Sequence, residues 1–259
     1  MLARLARVRS RSGVYHVMLR GANRQEIFHD EQDRLEFLRI LKKYREQADM
    51  KVFAWCLMGT HVHLLLQEGT ESLSQTMKRI AVSYALLYNW KYGTTGHLFE
   101  NRFKSECVEM IPYLLTVVRY IHQNPVKAGI ASRGEDWKWS SCRAYYDPVH
   151  HFRKWLDCGI VLGFFSGNPA IAQKEFKLFN EKFSDEQCLE ETATVRRLPD
   201  EKARQEIKNL LGTIEIPQVK TLPKLQRDDL LRQIKTINGL TQRQAARILG
   251  ISPNLIFRA

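Results

Sequence analysis

The segment that decides the fold spans residues 51–67 and reads KVFAWCLMGTHVHLLLQ. Its first half, residues 51–58, is rich in apolar and aromatic residues, and residues 61–67 resume that character after Gly59 and Thr60. Two such runs with turn-forming residues between them predict two antiparallel strands joined by a tight turn. We therefore expect a β-hairpin here.

The segments next to the hairpin have strand and helix patterns in turn. Residues 14–21, VYHVMLRG, alternate as a half-buried strand does, and residues 31–49 place apolar residues at helical spacing. Residues 72–93 predict a second helix, which Ser72 can cap and Gly93 can end. A strand, a helix, the hairpin and a second helix thus follow one another.

Two further elements complete the pattern. Residues 103–110 predict a fourth strand, and residues 112–124 predict a third helix, with Pro112 in its first turn and Pro125 just beyond its end. The order βαββαβα predicts an α+β fold: a ferredoxin-like antiparallel sheet with helices on one face and one additional helix after the last strand.

The C-terminal part has a different character. Residues 149–224 are highly charged in places and contain closely spaced prolines, which indicates a helical or linker region after a first domain of residues 1–148. Residues 225–259 predict a small all-α helix-turn-helix module, in which Thr241 caps one helix and the final helix would read DNA. Arg243 and Arg247 are candidate DNA contacts in this module.

Charge indicates the class of partner. The 259 residues carry a formal net charge of +12, which favours a polyanion, because Lys and Arg side chains that neutralise phosphates release bound counterions. Nucleic acid is the first expectation and an anionic membrane surface the second. No run approaches the roughly 20 apolar residues of a membrane span, so we expect no membrane partner and a cytoplasmic, nucleoid-associated protein. The odd number of scattered cysteines suggests reduced thiols: Cys56, Cys107, Cys142, Cys158 and Cys188.

His61 and His63 form the first chemical signal. Residues two apart on a strand point to the same face, about 7 Å from each other along the backbone, with Val62 on the opposite face. The pair could be two structural histidines that bond backbone or water. Alternatively, it could hold a divalent metal, which would need a third ligand.

The predicted third helix offers further polar groups. Tyr120 and Asn124 are four residues apart and share a helical face, whereas His122 points elsewhere. Taken singly, Tyr120 could be a core aromatic and Asn124 a helix-ending residue before a proline. Together with the two histidines, they would form a metal-assisted nucleophile for attack on a phosphodiester.

Four blocks of the sequence resemble a known family. They are YHVMLRGANRQEIF, WCLMGTHVHLLL, GHLFENRFKS and RYIHQNPVKAGI with DWKWSS after it, and they cover roughly residues 14–141. In this order they resemble the REP-associated tyrosine transposases, which are single-tyrosine members of the HUH endonuclease superfamily. The sequence differs from that pattern at Gly59-Thr60, where the family usually has Pro-Asn.

The resemblance implies an activity and a role for each site residue. His61 and His63 would be metal ligands, Asn124 the third ligand, and Tyr120 the nucleophile that cleaves and rejoins single-stranded DNA through a 5′-phosphotyrosine at hairpin-forming repeats. The family is associated with Mg²⁺ or Mn²⁺, although two imidazoles favour Mn²⁺ or Zn²⁺ on coordination chemistry alone. The expected partner is single-stranded or hairpin DNA, bound by a monomer or a homodimer. A catalytically silent DNA-binding regulator is the alternative function.

Other residues are candidates for DNA contact or for the same reaction. Tyr113, two turns before Tyr120, is the rival nucleophile. Basic and polar side chains could grip phosphates, and two tryptophans could stack on bases, although each group could also be an ordinary surface or core residue. These candidates are Arg4, Arg7, Arg9, Arg11, His97, Glu100, Arg102, Lys104, Trp137 and Trp139.

Overall fold

The computed structural model describes residues 8–22, 25–182, 188–189, 198, 200–237 and 239–259. The chain divides after Leu189 into two compact units. Arg4 and Arg7 lie outside the described residues.

The first unit is built on a four-stranded antiparallel sheet, in the order β2-β3-β1-β4. Its strands are β1 (Val14–Arg20), β2 (Lys51–Leu57), β3 (His61–Gln67) and β4 (Lys104–Cys107). β2 and β3 form the predicted hairpin, and the N–H of Met58 donates to the carbonyl of His61 at 2.9 Å across its turn. The predicted α+β sheet is confirmed, with a shorter fourth strand than expected.

Three long helices pack on the sheet: α1 (Glu31–Gln47), α2 (Leu73–Tyr92) and α3 (Ile111–Lys127). α1 and α2 pack together through Phe37 and Tyr84, whose ring centroids are 5.2 Å apart. As predicted, the side chain of Ser72 caps α2 by accepting from the N–H of Gln75, and Gly93 ends the helix with φ of +61°. α2 and α3 cover opposite faces of the sheet. Leu19 of β1 faces α2, whereas His16 of β1 and His63 of β3 point to the other face, where they contact Tyr120 of α3.

α3 is longer than the sequence pattern predicts. The pattern predicts an end before Pro125, but the helix continues through that residue to Lys127. Proline lacks only its own N–H, and the bonds beyond it are kept, since the N–H of Ala128 donates to the carbonyl of Asn124 at 3.0 Å. Lys127 is therefore two turns after Tyr120 on the same helix.

The remainder of the first unit consists of short helices. They are α4 (Cys142–Tyr146), α5 (Cys158–Gly163) and α6 (Pro169–Glu181), with 3₁₀ turns at Gly134–Asp136 and His151–Lys154. Buried residues of this segment, such as Trp155, Val161 and Phe176, belong to the same hydrophobic core as the sheet. This shared core explains why the unit extends to Leu189 and not to the predicted boundary at residue 148. All five cysteines are thiols outside any disulfide, and four of them are buried.

The second unit is helical. It contains α7 (Asp200–Leu211), a 3₁₀ turn at Ile216–Thr221, α8 (Lys224–Lys235), α9 (Gln242–Leu249) and α10 (Pro253–Arg258). Thr241 caps α9 as predicted, because its side chain accepts from the N–H of Gln244. Ile207 of α7 is buried in one core with Leu231 and Ile256, so the unit begins before the predicted boundary at residue 224. Within the described residues, no helix is both long and apolar enough to cross a membrane.

Candidate active site

His61 and His63 emerge from one face of β3, as the period of a strand requires. Their ring centroids are 5.0 Å apart and the rings are nearly perpendicular. His63 is buried and His61 is half-buried, while Val62 between them is fully buried on the opposite face. The hairpin turn thus brings two imidazoles to the edge of the core, one beside solvent and one beneath it.

α3 places Tyr120 against this pair. The Tyr120 ring is edge-on to the His63 ring, with 5.6 Å between centroids. Asn124 follows one helical turn later and is half-buried, and Tyr120 itself is 8% exposed. Lys127 completes the series on this side of the helix, with its ammonium 5.0 Å from the centre of the Tyr120 ring. The predicted phenol and imidazoles therefore lie in one region, and the same helix carries the predicted amide and a lysine one and two turns after the phenol.

His16 is a site residue that the sequence patterns did not reveal. In the pairing of β1 with β3, Met18 lies opposite His63 and Arg20 opposite His61, so His16, two residues earlier, points to the same face. Its ring centroid is 5.3 Å from that of His63 and 5.7 Å from that of Tyr120. The alternation of residues 14–21 could have placed His16 on the face of Met18 and Arg20. Only the register shows that this is the face of His61 and His63.

One nitrogen of each hairpin histidine has a hydrogen-bonding neighbour. His63 Nδ1 is 3.1 Å from His16 Nε2, and His61 Nδ1 is 3.0 Å from Thr60 Oγ1. Burial lowers the pKa of His16 to about 3. Burial, followed by the nearby His61, His16 and Arg20, holds the pKa of His63 well below its ordinary value. Both buried rings are therefore neutral at physiological pH, which is the form that binds metals.

The donor set suits a divalent metal with an oxygen as third ligand. Across the described ranges, no group of three His, Cys, Asp or Glu side chains is arranged to hold a metal ion. A third ligand would thus be another type of group, and the amide of Asn124, one turn after Tyr120, is such a group. Two imidazole nitrogens and an amide oxygen fit Mn²⁺ well and Mg²⁺ less well, because Mg²⁺ prefers ligands that are all oxygen.

A buried polar cluster fixes α3 on its other side. His122 Nδ1 is 3.1 Å from Asn180 Oδ1, and His122 Nε2 is 2.8 Å from Ser141 Oγ. Ser141 Oγ in turn accepts from the N–H of Trp55 on β2 at 3.0 Å. His122 is fully buried, so these bonds tie the helix to the sheet and to α6. As predicted, His122 points away from the site, and its bonds hold Tyr120 toward it.

Tyr113, the rival nucleophile, has a different environment. Its pKa is raised first by burial and next by a hydrogen bond with Glu106, and Cys188 also bonds to it. The phenol is therefore held at the β4 side of the sheet, whereas Tyr120 contacts His63 and His16.

The loop from α2 to β4 lies beside the site. The N–H of Glu100 donates to the carbonyl of Arg20 at 3.0 Å, at the strand end where Arg20 is opposite His61. His97, Glu100 and Arg102 are exposed on this loop and line a cavity of about 740 Å³ against α2. Lys104 is exposed at the start of β4. Lys104 lies opposite Met18 and so shares the sheet face of His63, whereas the cavity lined by His97, Glu100 and Arg102 is on the α2 side of the sheet.

The remaining candidates lie elsewhere. Arg9 and Arg11 are exposed but precede β1, at the end of the strand opposite Arg20. Arg243 and Arg247 are exposed one turn apart on α9 of the second unit. Because these four residues are at the surface, each can still meet phosphate.

The two tryptophans differ in their exposure. Trp139 is only 4% exposed and belongs to the core of the first unit. Trp137 is half-buried, and its Nε1 donates to the carbonyl of Leu57 at 3.1 Å. The stacking role expected for Trp139 is corrected to a packing role, because its ring lies in the core and against the guanidinium of Arg34, whereas the role expected for half-buried Trp137 stays a prediction.

Comparisons with known proteins identify relatives of the first unit. Residues 10–124 match the family model of IS200-like transposases. A REP-associated tyrosine transposase bound to a REP hairpin has a similar structure, with 18% identity, a TM-score of 0.47, and coverage of 57% of this chain and 88% of that chain. A candidate transposase from Deinococcus radiodurans has 17% identity, a TM-score of 0.33, and coverage of 50% and 99%. No curated protein matches the chain. The family match spans β1 to Asn124 and so includes His61, His63 and Tyr120.

Proposed function

We propose that this chain, whose residues 10–124 match the family model of IS200-like transposases, cleaves and rejoins single-stranded DNA with Tyr120 as nucleophile. The observation that carries the proposal is the contact of the Tyr120 ring with His63, at 5.6 Å between centroids, on the face that also presents His61. A phenol that only filled the core would have no need of two imidazoles beside it.

The proposed reaction is a transesterification that cleaves DNA in the forward direction and rejoins it in the reverse direction. Tyr120 Oη attacks the scissile phosphorus, the bond from phosphorus to the 3′-oxygen breaks, and a 5′-phosphotyrosine and a free 3′-hydroxyl form. The phenol proton passes to solvent, and the departing 3′-oxygen takes one up. Attack by a 3′-hydroxyl on the phosphotyrosine reverses these steps and rejoins DNA. Since one phosphoester replaces another, no nucleotide cofactor is consumed.

His61, His63 and Asn124 would hold a divalent metal, Mn²⁺ or Mg²⁺, in this proposal. When bound, such an ion withdraws charge from the phosphate and orients the scissile bond. The chain's own contribution is to fix two neutral imidazoles on a rigid strand and an amide on the helix that carries the nucleophile. Lys127, whose ammonium is 5.0 Å from the centre of the Tyr120 ring, would favour the negatively charged phenolate form of that ring.

Basic residues around the site would bind the strand. The exposed side chains of His97 and Arg102 lie on the loop that adjoins the Arg20 end of β1, and exposed Lys104 begins β4 opposite Met18. Phosphate contacts from these groups and from the net charge of +12 would supply most of the binding free energy. The sequence blocks that resemble REP-associated transposases favour a hairpin-forming repeat as target. The helices α8 to α10 would then contact its duplex part.

An adduct assay with two labels tests the proposal. The full chain is incubated with Mn²⁺ or Mg²⁺ and a single-stranded oligonucleotide drawn from a hairpin-forming repeat next to the gene, labelled at either the 3′ or the 5′ end. We expect the 3′ label to migrate with the protein on a denaturing gel and the 5′ label to appear as a shorter free strand. Binding without any adduct would support the regulator instead, and an adduct with the 5′ label would reverse the proposed polarity.

A further inference from the structure

His61 and His63 both use the same ring nitrogen, Nδ1, for a hydrogen bond within the protein. In each, Nδ1 has a neighbour: Thr60 Oγ1 at 3.0 Å from His61 and His16 Nε2 at 3.1 Å from His63. A neutral imidazole carries one proton, and a metal binds the nitrogen that lacks it. If Nδ1 of each ring donates to its neighbour, Nε2 is the coordinating atom in both.

We propose that Thr60 and His16 are positioning residues that fix the tautomers of His61 and His63, with the proton on Nδ1 and the metal at Nε2. This inference rests on the proposed function, because it assigns a role around the same metal site. Metal-binding histidines usually donate their other N–H to a carboxylate, a carbonyl or another acceptor, which also orients the ring. Thr60 would be this acceptor for His61, and it stands at the position where the family that the sequence resembles usually has asparagine.

For Nε2 of His16 to accept a hydrogen bond from His63, the proton of a neutral His16 must be on Nδ1. Its Nδ1 is buried without a hydrogen-bond partner among the described residues. Directly across the β1–β4 pairing lies Glu106, whose Oε2 is also buried and without a partner in the described part of the chain. Glu106 bonds Tyr113, and the two unpartnered atoms are not hydrogen-bonded to each other, so the tautomer of His16 is set by its bond with His63. With its proton on Nδ1, His16 accepts at Nε2 from His63, and the two rings would form a histidine pair that leads to the metal.

The environment of His16 argues against a purely structural role. A histidine in a core normally satisfies both ring nitrogens, as His122 does with Asn180 and Ser141. His16 is equally buried, yet its ring hydrogen bond within the described residues goes to a proposed metal ligand. An apolar residue of the same size would cost less to bury, so the burial of His16 is explained if it orients His63.

Two pairs of variants test the inference by Mn²⁺ titration calorimetry on the full chain. His16→Leu removes the acceptor, whereas His16→Gln places an amide oxygen near the position of Nε2. Thr60→Val removes the hydroxyl with little change of shape, and Thr60→Ser retains it. Loss of such a neighbour typically lowers metal affinity about 10- to 100-fold. We expect a loss in that range for His16→Leu and about tenfold for Thr60→Val, whereas His16→Gln and Thr60→Ser should stay within about threefold of wild type.

The outcomes separate this inference from the proposed function. Equal affinities in His16→Leu and His16→Gln, or in Thr60→Val and Thr60→Ser, would overturn the positioning role, provided that wild type binds Mn²⁺ and His63→Ala does not. If wild type and His63→Ala bind Mn²⁺ equally or not at all, the metal site itself is wrong. If His16→Leu does not fold, nitrogen-15 histidine NMR of the wild-type chain with Mg²⁺ decides, because a proton on Nε2 of His61 or His63 contradicts the assignment.

Discussion

The ring of Tyr120 stands edge-on to the ring of His63, with 5.6 Å between centroids, although the two residues are 57 positions apart in sequence. The contact exists because β3 presents its histidines to the face that α3 covers. It joins the group proposed to attack the phosphate to a group proposed to hold the metal.

Tyr120→Phe should abolish the covalent DNA adduct. The substitution removes one oxygen and keeps the ring contacts with His16 and His63, so the fold and DNA affinity should be unchanged. Denaturing gels with 3′-labelled oligonucleotide measure the adduct. Tyr113→Phe is the matched control and should retain it; an adduct in Tyr120→Phe that is lost in Tyr113→Phe would identify Tyr113 as the nucleophile.

His61→Ala and His63→Ala should each abolish cleavage while DNA affinity stays within about threefold of wild type, since phosphate contacts carry most of the binding. Fluorescence anisotropy with a labelled oligonucleotide measures affinity, and the adduct assay measures cleavage. His97→Ala is a control histidine from the neighbouring loop, which should affect affinity more than chemistry. Full cleavage by either hairpin variant after chelation and reloading with Mn²⁺ would refute the metal site.

Lys127→Gln should slow adduct formation about threefold to tenfold without loss of folding. The ammonium lies 5.0 Å from the Tyr120 ring, and a positive charge there stabilises the developing phenolate by an amount in the range of about 1 kcal/mol. Lys127→Arg keeps the charge and should retain most of the rate. Single-turnover kinetics at saturating DNA separate this effect from weaker binding. Unchanged single-turnover rates in Lys127→Gln would remove the lysine from the reaction.

Features that lie within one strand or helix can be predicted from the sequence, whereas features that depend on the pairing of distant segments cannot. The shared face of His61 and His63 follows from the period of a strand, and that of Tyr120 and Asn124 from the period of a helix, so the sequence alone predicts both. His16 could not be placed at the site in this way, because its position depends on the register of β1 against β3, which no local pattern specifies.

Other differences have equally specific causes. α3 passes through Pro125 because later N–H groups still reach their carbonyls. Trp139 joins the core because residues 134–176 fold back on the sheet, a long-range packing that also moves the unit boundary to Leu189. Local patterns thus predict that the strands and helices exist, whereas burial and boundaries depend on contacts between distant segments.

Arg243→Gln with Arg247→Gln should weaken binding to hairpin DNA and leave cleavage of a short single strand intact. Both side chains are exposed on α9, one turn apart, where they can meet phosphates. Each lost phosphate contact should lower the slope of log affinity against log salt by about 1. Arg39→Gln, an exposed arginine on α1 that pairs with Glu36, is the control. An unchanged salt slope in the double variant would exclude these two arginines from the interface.

His122→Phe should destabilise the protein and slow adduct formation together. The ring volume is kept, but Ser141 Oγ and Asn180 Oδ1 lose a buried partner, which costs about 1–3 kcal/mol for each unsatisfied group. Because this cluster ties α3 to the sheet, Tyr120 should also shift relative to His63. Urea denaturation measures the stability, and single-turnover kinetics well below the denaturation midpoint measure the adduct. His151→Phe, at an exposed position of the same unit, should change neither. Loss of stability with a wild-type rate would show that α3 holds Tyr120 without the help of His122.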